Sequence, residues 1–131
     1  MALSIRSYKD IDLTFTPHPT TGNISILTDV DAVKRSIRNL ILTNNYERFF
    51  QPDIGSNVTA ILFAPQLTPF TARQIESRVE DVIRNFEPRA EIIKVKASLN
   101  PDINAFDVVI TFSVRSIPEP VELEILLKRT R

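Results

Sequence analysis

The clearest pattern of apolar and polar positions lies between residues 71 and 89 and predicts a long amphipathic helix. Its apolar residues recur at spacings of three, four and seven, which places them on one helical face: Ala72, Ile75, Val79, Val82, Ile83 and Phe86. Thr71 suits the N-cap, with Gln74 three residues later as in a capping box. Pro88 disfavours helical geometry at Glu87, so the helix should end at the tripeptide Glu87-Pro88-Arg89.

Two shorter helices are predicted upstream of this one. Apolar residues between positions 30 and 41 have helical spacing after Asp29, which suits the N-cap, and the opposite side is basic, with Lys34, Arg35 and Arg38. This basic face is expected either to be solvated or to contact an acidic partner. Ser56 or Asn57 can cap a short helix over residues 58–63.

The amino-terminal part predicts two short strands around a loop. Ile11, Leu13 and Phe15 alternate with polar residues, as in a strand with one buried face. Residues 16–23 contain two prolines and a glycine and predict a loop, and residues 23–27 predict a second short strand.

Beyond Arg89 the period of the pattern changes to two, which indicates strands. One strand face is formed by Ile93, Val95, Ala97 and Leu99, and the next by Phe106, Val108, Ile110, Phe112 and Val114. Residues 100–104 predict the turn between them, and residues 116–120 predict a second connection. In a last strand the apolar positions alternate with charged ones: Val121, Leu123, Ile125 and Leu127.

These elements predict an α+β fold in which an antiparallel C-terminal β-meander packs against two or three helices. A chain of 131 residues is long enough to bury a core, and we expect one domain over residues 1–131. Within it, residues 1–28 form the strands and loop, residues 29–89 the helical part and residues 90–131 the meander.

Composition narrows the function classes. Hydrophobic residues make up 43% and charged residues 24%, with 16 basic and 16 acidic side chains, so no net charge attracts nucleic acid or an anionic membrane. The longest apolar runs are far short of a membrane span, and the first ten residues lack a signal-peptide pattern. The absence of cysteine excludes disulfides and thiolate metal sites, and it fits a reducing cytosol and an assembled extracellular particle equally well.

Candidate chemistry is scarce. The only histidine, His18, lies in a loop, and two glycines cannot build a phosphate cradle. The acidic residues of the long helix, Glu76, Glu80 and Asp81, are more simply explained as a solvated face paired with arginines. We therefore predict no catalytic residue, no metal and no cofactor. A pair of carboxylates acting on a sugar stays possible in principle with 16 acids, although there is no tryptophan on which a sugar could stack.

The segment from residue 43 to residue 58 is rich in aromatic residues and has little periodicity. Its large side chains must either pack on the domain's own core or meet another chain. Gly55 is expected to occupy a tight turn there.

The ordered motifs resemble the baseplate wedge and sheath-initiator family of contractile phage tails, which has relatives in type VI secretion. The resemblance covers about residues 30 to 129. It rests on Ser36-Ile37-Arg38-Asn39, Thr43 through Glu47-Arg48, Pro52-Asp53-Ile54-Gly55-Ser56, Leu62-Phe63, and Asn85-Phe86-Glu87-Pro88-Arg89. Where the family usually has glycine before the Glu-Arg pair, this chain has Tyr46.

The resemblance implies a non-enzymatic subunit of the virion tail baseplate, present in multiple copies in a ring and assembled in the host cytoplasm. Its implied partners are the larger wedge proteins and the tail sheath subunit, whose polymerisation it would start by strand exchange, and a contact with the tail tube is left open. No nucleic-acid or membrane partner is implied. The alternatives are a peptidoglycan-cleaving tail lysozyme, which members were once called, and a cytosolic protein-interaction adaptor.

The resemblance also implies roles for particular residues. Glu87, Pro88 and Arg89 would bind the wedge partner, or Glu87 and Arg89 would only pair locally. Arg48 and Gly55 would shape a contact loop, or only an internal turn. The strand offered to the sheath would be the one with Val121, Leu123, Ile125 and Leu127, or that strand would be an ordinary internal one.

Overall fold

The structure, a computed structural model, describes residues 8–115 and 117–129, without the side chain of residue 118. The elements of this part follow the order β1 (Lys9–Ile11), β2 (Ile26–Thr28), α1 (Asp29–Leu42), α2 (Val58–Leu62), α3 (Pro69–Phe86), β3 (Ala90–Asn100), β4 (Ala105–Val114) and β5 (Ile117–Lys128). Strands β3, β4 and β5 form an antiparallel sheet in that order, and β1 pairs with β2. The predicted α+β fold with a C-terminal meander is confirmed.

Helix α3 begins earlier than the sequence pattern predicts. Its N-cap is Thr68, whose Oγ1 accepts a hydrogen bond from the N–H of Thr71 at 3.4 Å, while the Oγ1 of Thr71 accepts one from the N–H of Thr68 at 3.2 Å. Thr68 and Thr71 thus form a capping box in which Thr71 is the third helical residue. The prediction of Thr71 as N-cap with Gln74 was therefore wrong. Pro69 fits the first helical position, where its missing N–H has no intrahelical partner to lose.

Helix α1 likewise begins differently from the prediction. Thr28 occupies the N-cap position, and Asp29, predicted as the cap, is the first helical residue. The carboxylate of Asp29 accepts a hydrogen bond from the backbone N–H of Tyr8 at 3.1 Å. Asp29 therefore ties the start of α1 to the chain before β1, instead of capping its own helix.

The first strand of the large sheet contains a β-bulge that the alternating pattern did not reveal. Register shifts between Ile92 and Lys94 place the intervening Ile93 outward with 57% exposure. The prediction that Ile93 shares a face with Val95 was wrong, because the extra residue of a bulge reverses the alternation, and Ile92 packs against the core instead.

Strand β5 also begins earlier than expected. It starts at Ile117, opposite Val114, and so includes most of the connection predicted over residues 116–120. Ser116, which belonged to that prediction, lies outside the described residues, as do residues 1–7, 130 and 131 of the predicted domain.

The amino-terminal strands form a separate ribbon whose apolar side chains stay largely exposed. Ile11, Leu13 and Phe15 are 53%, 50% and 64% exposed. The predicted buried face was wrong because β1 ends at Ile11 and Phe15 takes a left-handed turn conformation with φ of 53°.

The core lies between the helices and the inner face of the large sheet. It contains the predicted apolar face of α1, most of that of α3, and the five alternating residues of β4: Phe106, Val108, Ile110, Phe112 and Val114. Ile125 and Leu127 of β5 join it, while Val121 and Leu123 are partly buried against it. Burial of this apolar surface is the main stabilisation of the fold.

Candidate partner-binding site

The tripeptide Glu87-Pro88-Arg89 forms the corner between α3 and β3. Glu87 is the C-cap of α3, and its N–H donates to the carbonyl of Ile83 at 2.9 Å. The corner closes where Ala90, the first residue of β3, donates its N–H to the carbonyl of Glu87 at 3.3 Å. The three residues therefore have fixed backbone positions.

The carboxylate of Glu87 points inward and is held by two side chains. Only 2% of Glu87 is exposed. Its Oε1 accepts from Arg89 Nε at 2.7 Å and its Oε2 from Arg89 Nη2 at 2.9 Å, a bidentate arrangement, and the hydroxyl of Ser36 in α1 also donates to Oε2. The acidic member of the predicted contact pair is thus occupied within the domain.

These contacts keep both groups charged. Burial raises the pKa of Glu87, but the hydrogen bonds from Arg89 and Ser36 together with the charge of Arg89 outweigh it, so the pKa lies below its usual value. The hydrogen bond to Glu87 raises the pKa of Arg89 further above its already high value. At neutral pH the corner is therefore an ion pair.

The outer part of this corner consists of Pro88 and the far side of Arg89. Pro88 is exposed, and the Arg89 side chain is 27% exposed, with its guanidinium 5.4 Å from the ring centre of Tyr8. An open cavity of about 610 Å³ beside the corner is also lined by Arg84 and Arg115. A neighbouring protein can therefore reach Pro88 and the edge of the guanidinium, but not the Glu87 carboxylate.

Sequence reasoning missed Ser36 and Tyr8 as members of this cluster. Ser36 lies 51 positions from Glu87 and Tyr8 lies in the amino-terminal part, so no spacing signal joins them to the corner. The motif containing Ser36 was the only available indication.

The loop between α1 and α2 is closed around Gly55. A Cβ atom at Gly55 would lie 2.6 Å from the carbonyl carbon of Asn44 and 2.7 Å from the nitrogen of Asn45. The next residue, Ser56, is buried and donates its N–H to the carbonyl of Thr43 at 3.0 Å. Only glycine allows the two ends of the loop to approach this closely.

The tip of the loop is held by Glu47. Its carboxylate accepts from the N–H of Asn44 at 2.9 Å and from the Asn44 side-chain amide at 2.8 Å, and these bonds lower the pKa of Glu47. Tyr46 has φ of 69°, a left-handed conformation that favours glycine, and its N–H donates to the carbonyl of Pro52 at 2.8 Å. This conformation explains why glycine suits the position of Tyr46 in the family that the sequence resembles.

The aromatic side chains of the loop do not pack on the core. Tyr46 is 83% exposed, and Phe49 and Phe50 are each 98% exposed. Arg48, which lies between Glu47 and Phe49 in the sequence, is exposed as well. Of the two alternatives for this segment, folding back onto the core is therefore wrong for its aromatic residues.

The two edges of the large sheet differ. At β3 the outward N–H of Ala97 donates to the carboxylate of Glu76 in α3 at 2.8 Å, and α3 packs along this strand. At β5 the described residues show one contact of this kind, a 3.5 Å approach of Arg38 Nη2 to the carbonyl of Glu124, at the limit of a hydrogen bond. The edge with Val121 to Leu127 is thus the more open one.

The structure does not join the three candidate regions into one site. Among the described residues no hydrogen bond or ion pair links the corner, the loop tip and β5 directly. The same residues contain no group of three or more side chains suited to a metal ion, and none of their helices is long and apolar enough to cross a membrane.

Comparisons with known proteins agree on one family. Residues 28–119 match the profile of a family described as baseplate wedge protein gp25. The chain is 33% identical over 91 residues to the baseplate wedge protein gp25 of Enterobacteria phage T4, which corresponds to 70% of this chain and 68% of the relative.

Solved structures show the same fold. A candidate tail lysozyme from Geobacter sulfurreducens has 26% identity and a TM-score of 0.68, over 76% of this chain and 89% of its own. A chain of the anti-feeding prophage baseplate has 20% identity and a TM-score of 0.63, over 95% of this chain and 88% of its own. A chain of the type VI secretion baseplate complex has 18% identity and a TM-score of 0.58, over 74% and 92%.

Proposed function

Because this chain belongs to the gp25 family of baseplate wedge proteins, structural subunits of contractile tail systems, we propose that it nucleates the tail sheath by strand exchange at β5. It binds the wedge core bundle, the helical bundle formed by the larger wedge proteins, through the Glu87-Pro88-Arg89 corner. It lies in multiple copies around the tail tube and is assembled in the host cytoplasm. It has no enzymatic role and needs neither nucleic acid nor membrane. The open edge of β5 is the observation that carries the proposal.

The difference between the two edges supports strand addition at β5 rather than at β3. A strand added to β3 would have to displace the charge-assisted hydrogen bond between Glu76 and Ala97. A strand added to β5 displaces only the long contact from Arg38 to the carbonyl of Glu124. Main-chain hydrogen bonds to the added strand provide the affinity in such complexes.

A proline on β5 tests this step without removing the buried residues of the strand. The carbonyl of Glu124 faces the open side, and Leu126, two residues further along an antiparallel strand, has the same backbone orientation. Leu126→Pro removes an outward N–H, whereas Leu126→Ala keeps it. We expect both variants to fold and to enter baseplates, but only the alanine variant to support sheath extension, as counted by electron microscopy. Full-length sheaths on Leu126→Pro particles would contradict strand exchange at this edge.

At the corner, Glu87 acts as a positioning residue and Pro88 with Arg89 forms the contact. The buried carboxylate fixes the guanidinium plane, which leaves the exposed side of Arg89 ready to bind a carbonyl or carboxylate of the wedge protein. Arg48 and Gly55 shape the second contact, the loop that presents Phe49 and Phe50.

Pro88→Asp tests the corner because Pro88 is exposed and takes no part in the ion pair. The new carboxylate competes for Arg89 and repels an acidic partner, so we expect a folded protein that fails to join the wedge complex in co-purification. Asn85→Asp, a change at another exposed residue about one turn earlier on α3, is the control and should be incorporated. Normal incorporation of Pro88→Asp would refute the contact.

A tail lysozyme is the second candidate, because the Geobacter sulfurreducens relative carries that description. Glycoside hydrolysis needs a carboxylic acid with a raised pKa. The buried carboxylate of the described residues, Glu87, has a lowered pKa and is held by Arg89. We expect no release of peptidoglycan fragments by the folded, purified protein under conditions in which a known muramidase is active, and release would overturn the structural assignment.

The particle itself tests the location. Gold-labelled antibody against this chain should mark the tail baseplate in electron micrographs. Label found only on soluble complexes outside any particle would favour a cytosolic adaptor instead.

A further inference from the structure

Two neighbouring rows in the middle of the outer face of the large sheet are divided by charge between its two edges. The rows that cross the sheet run from Lys94 through Thr111 to Glu122, and from Lys96 through Val109 to Glu124. The lysines of β3 are exposed, as are the glutamates of β5, and neutral side chains of β4 separate them. In these two rows the edge at β5 is therefore acidic and the edge at β3 is basic, while Lys128 of β5 and Glu91 of β3 lie on the same face nearer the ends of the strands.

We propose that Glu122 and Glu124 select the strand that adds to β5, and that this strand comes from another polypeptide and carries Lys or Arg at alternate positions facing outward. This inference rests on the strand addition proposed above and names the chemistry of the partner. Side chains directly opposite each other on neighbouring strands lie about 4.5–5.5 Å apart at Cβ, close enough for opposite charges to stabilise the pair and like charges to destabilise it. Glu122 and Glu124 lie two residues apart, so both face the same side of the added strand.

The same two glutamates disfavour pairing between two copies of β5. In an antiparallel pair of β5 strands centred on Leu123, Glu122 of one copy lies opposite Glu124 of the other. Like charges then face each other twice, which weakens this pairing. Such charges at an open edge protect the free protein from self-association through β5 and still allow a basic strand to bind.

The inner side of the edge contributes equally to any strand with apolar inward residues. A groove of about 250 Å³ there is lined by Leu27, Asp31, Lys34, Arg35, Arg38 and Leu123. Peptides that share valine at the inward positions present the same apolar side chains to this groove. Its three basic residues favour a glutamate peptide, so a preference for lysine has to come from Glu122 and Glu124.

Two peptides of alternating sequence test the proposal, one with lysine and valine and the other with glutamate and valine. We expect the lysine peptide to bind the folded protein about 10-fold more tightly, from two pairs that change from repulsion to attraction. It should slow hydrogen exchange of the outward amides of β5 while leaving β3 unchanged. The preference should weaken with added salt because the charges are exposed.

A charge-reversal variant provides the decisive comparison. Glu122→Lys with Glu124→Lys should reverse the preference in favour of the glutamate peptide. The control, Asp81→Lys with Glu91→Lys, makes the same change in net charge at exposed positions outside β5 and should keep the original preference.

The outcomes separate this inference from the function on which it rests. Equal binding of both peptides at β5, or a preference unaffected by the reversal, overturns charge selection and leaves strand addition intact. Failure of both peptides to protect β5 overturns strand addition as well. Self-association through β3 of a second copy, detected as loss of exchange at both edges with rising protein concentration, overturns the assignment to another polypeptide.

Discussion

Arg89→Ala should destabilise the domain because it leaves the buried carboxylate of Glu87 with only Ser36 as a side-chain partner. Removing one member of a buried ion pair costs about 3–5 kcal/mol, and the 27% exposure of Arg89 allows water to replace part of the lost contact, so we expect a loss of about 2–4 kcal/mol at pH 7. That is a large fraction of the stability of a small domain.

The pH dependence identifies the cause. In the folded wild type, burial raises the pKa of Glu87 but Arg89 and Ser36 lower it more, to a value below its usual 4.5. A lowered folded-state pKa stabilises the protein above the unfolded-state pKa, and this contribution is lost as the pH falls through the folded-state pKa. Without Arg89, burial should raise the pKa of Glu87 above its usual value. Protonation of Glu87 as the pH falls then removes the destabilisation that the unpaired carboxylate causes in the variant. The stability difference between the two proteins should therefore shrink on acidification below about pH 5.

Urea denaturation at a series of pH values from neutral to acidic measures this difference. Arg84→Ala is the matched control, because Arg84 pairs with Glu80 at 2.5 Å on the exposed side of α3, with side chains 67% and 43% exposed. Such a surface pair contributes about 0.5 kcal/mol or less. A loss for Arg89→Ala that is equally large at acidic pH would refute the ion-pair reasoning and attribute the effect to packing of Arg89 on Tyr8.

Three further predictions concern the loop and the covered edge. Gly55→Ala should lower the free energy of unfolding by about 2–4 kcal/mol in urea denaturation, because its Cβ would meet the backbone of Asn44 at 2.6 Å and the backbone has to move; a change below about 0.5 kcal/mol would show that the loop relaxes freely. Phe49→Ser with Phe50→Ser should leave stability within about 0.5 kcal/mol but reduce co-purification with the wedge proteins, since both side chains are 98% exposed, and unchanged co-purification would remove the loop from the interface. Glu76→Ala should free the N–H of Ala97 and raise the tendency to self-associate in sedimentation velocity; a strictly monomeric variant at high concentration would show that α3 alone covers β3.

The helices and strands that follow a regular period could be predicted from the sequence. The face of β4 was predicted correctly because all five of its alternating apolar residues belong to one continuous core, and that of α1 because most of its apolar residues join the same core. Ile93 was assigned to the wrong face because a bulge inserts one residue, and its neighbour Ile92 is equally apolar, so the pattern does not show which of the two faces the core. Ile11 was assigned to a buried face because a short ribbon with exposed apolar side chains carries the same alternation as a buried strand.

The site could be predicted only as far as neighbours in sequence determine it. The proximity of Glu87 and Arg89 follows from their spacing around Pro88. Gly55 was predicted as a residue of a tight turn, but glycine is required there because the backbone of Asn44 and Asn45 lies against it. The burial of Glu87 could not be predicted, since it depends on α1 lying against the end of α3, a contact between residues 51 positions apart. Which edge of the sheet is open depends in the same way on a contact between elements, because α3 covers β3 and leaves β5 open. No periodicity of the sequence specifies that contact.

The motif Ser36-Ile37-Arg38 shows how three adjacent residues serve three parts of the fold. Successive residues of an α-helix point about 100° apart, because a turn contains 3.6 residues. Ser36 therefore faces the corner and donates to Glu87, Ile37 is fully buried in the core, and Arg38 reaches the carbonyl of Glu124 at the edge of β5. Helix α1 thus contacts both proposed partner surfaces through side chains two residues apart. A substitution at Ile37 that shifts the helix would consequently disturb the corner and the edge together, whereas Ser36 and Arg38 each affect one of them.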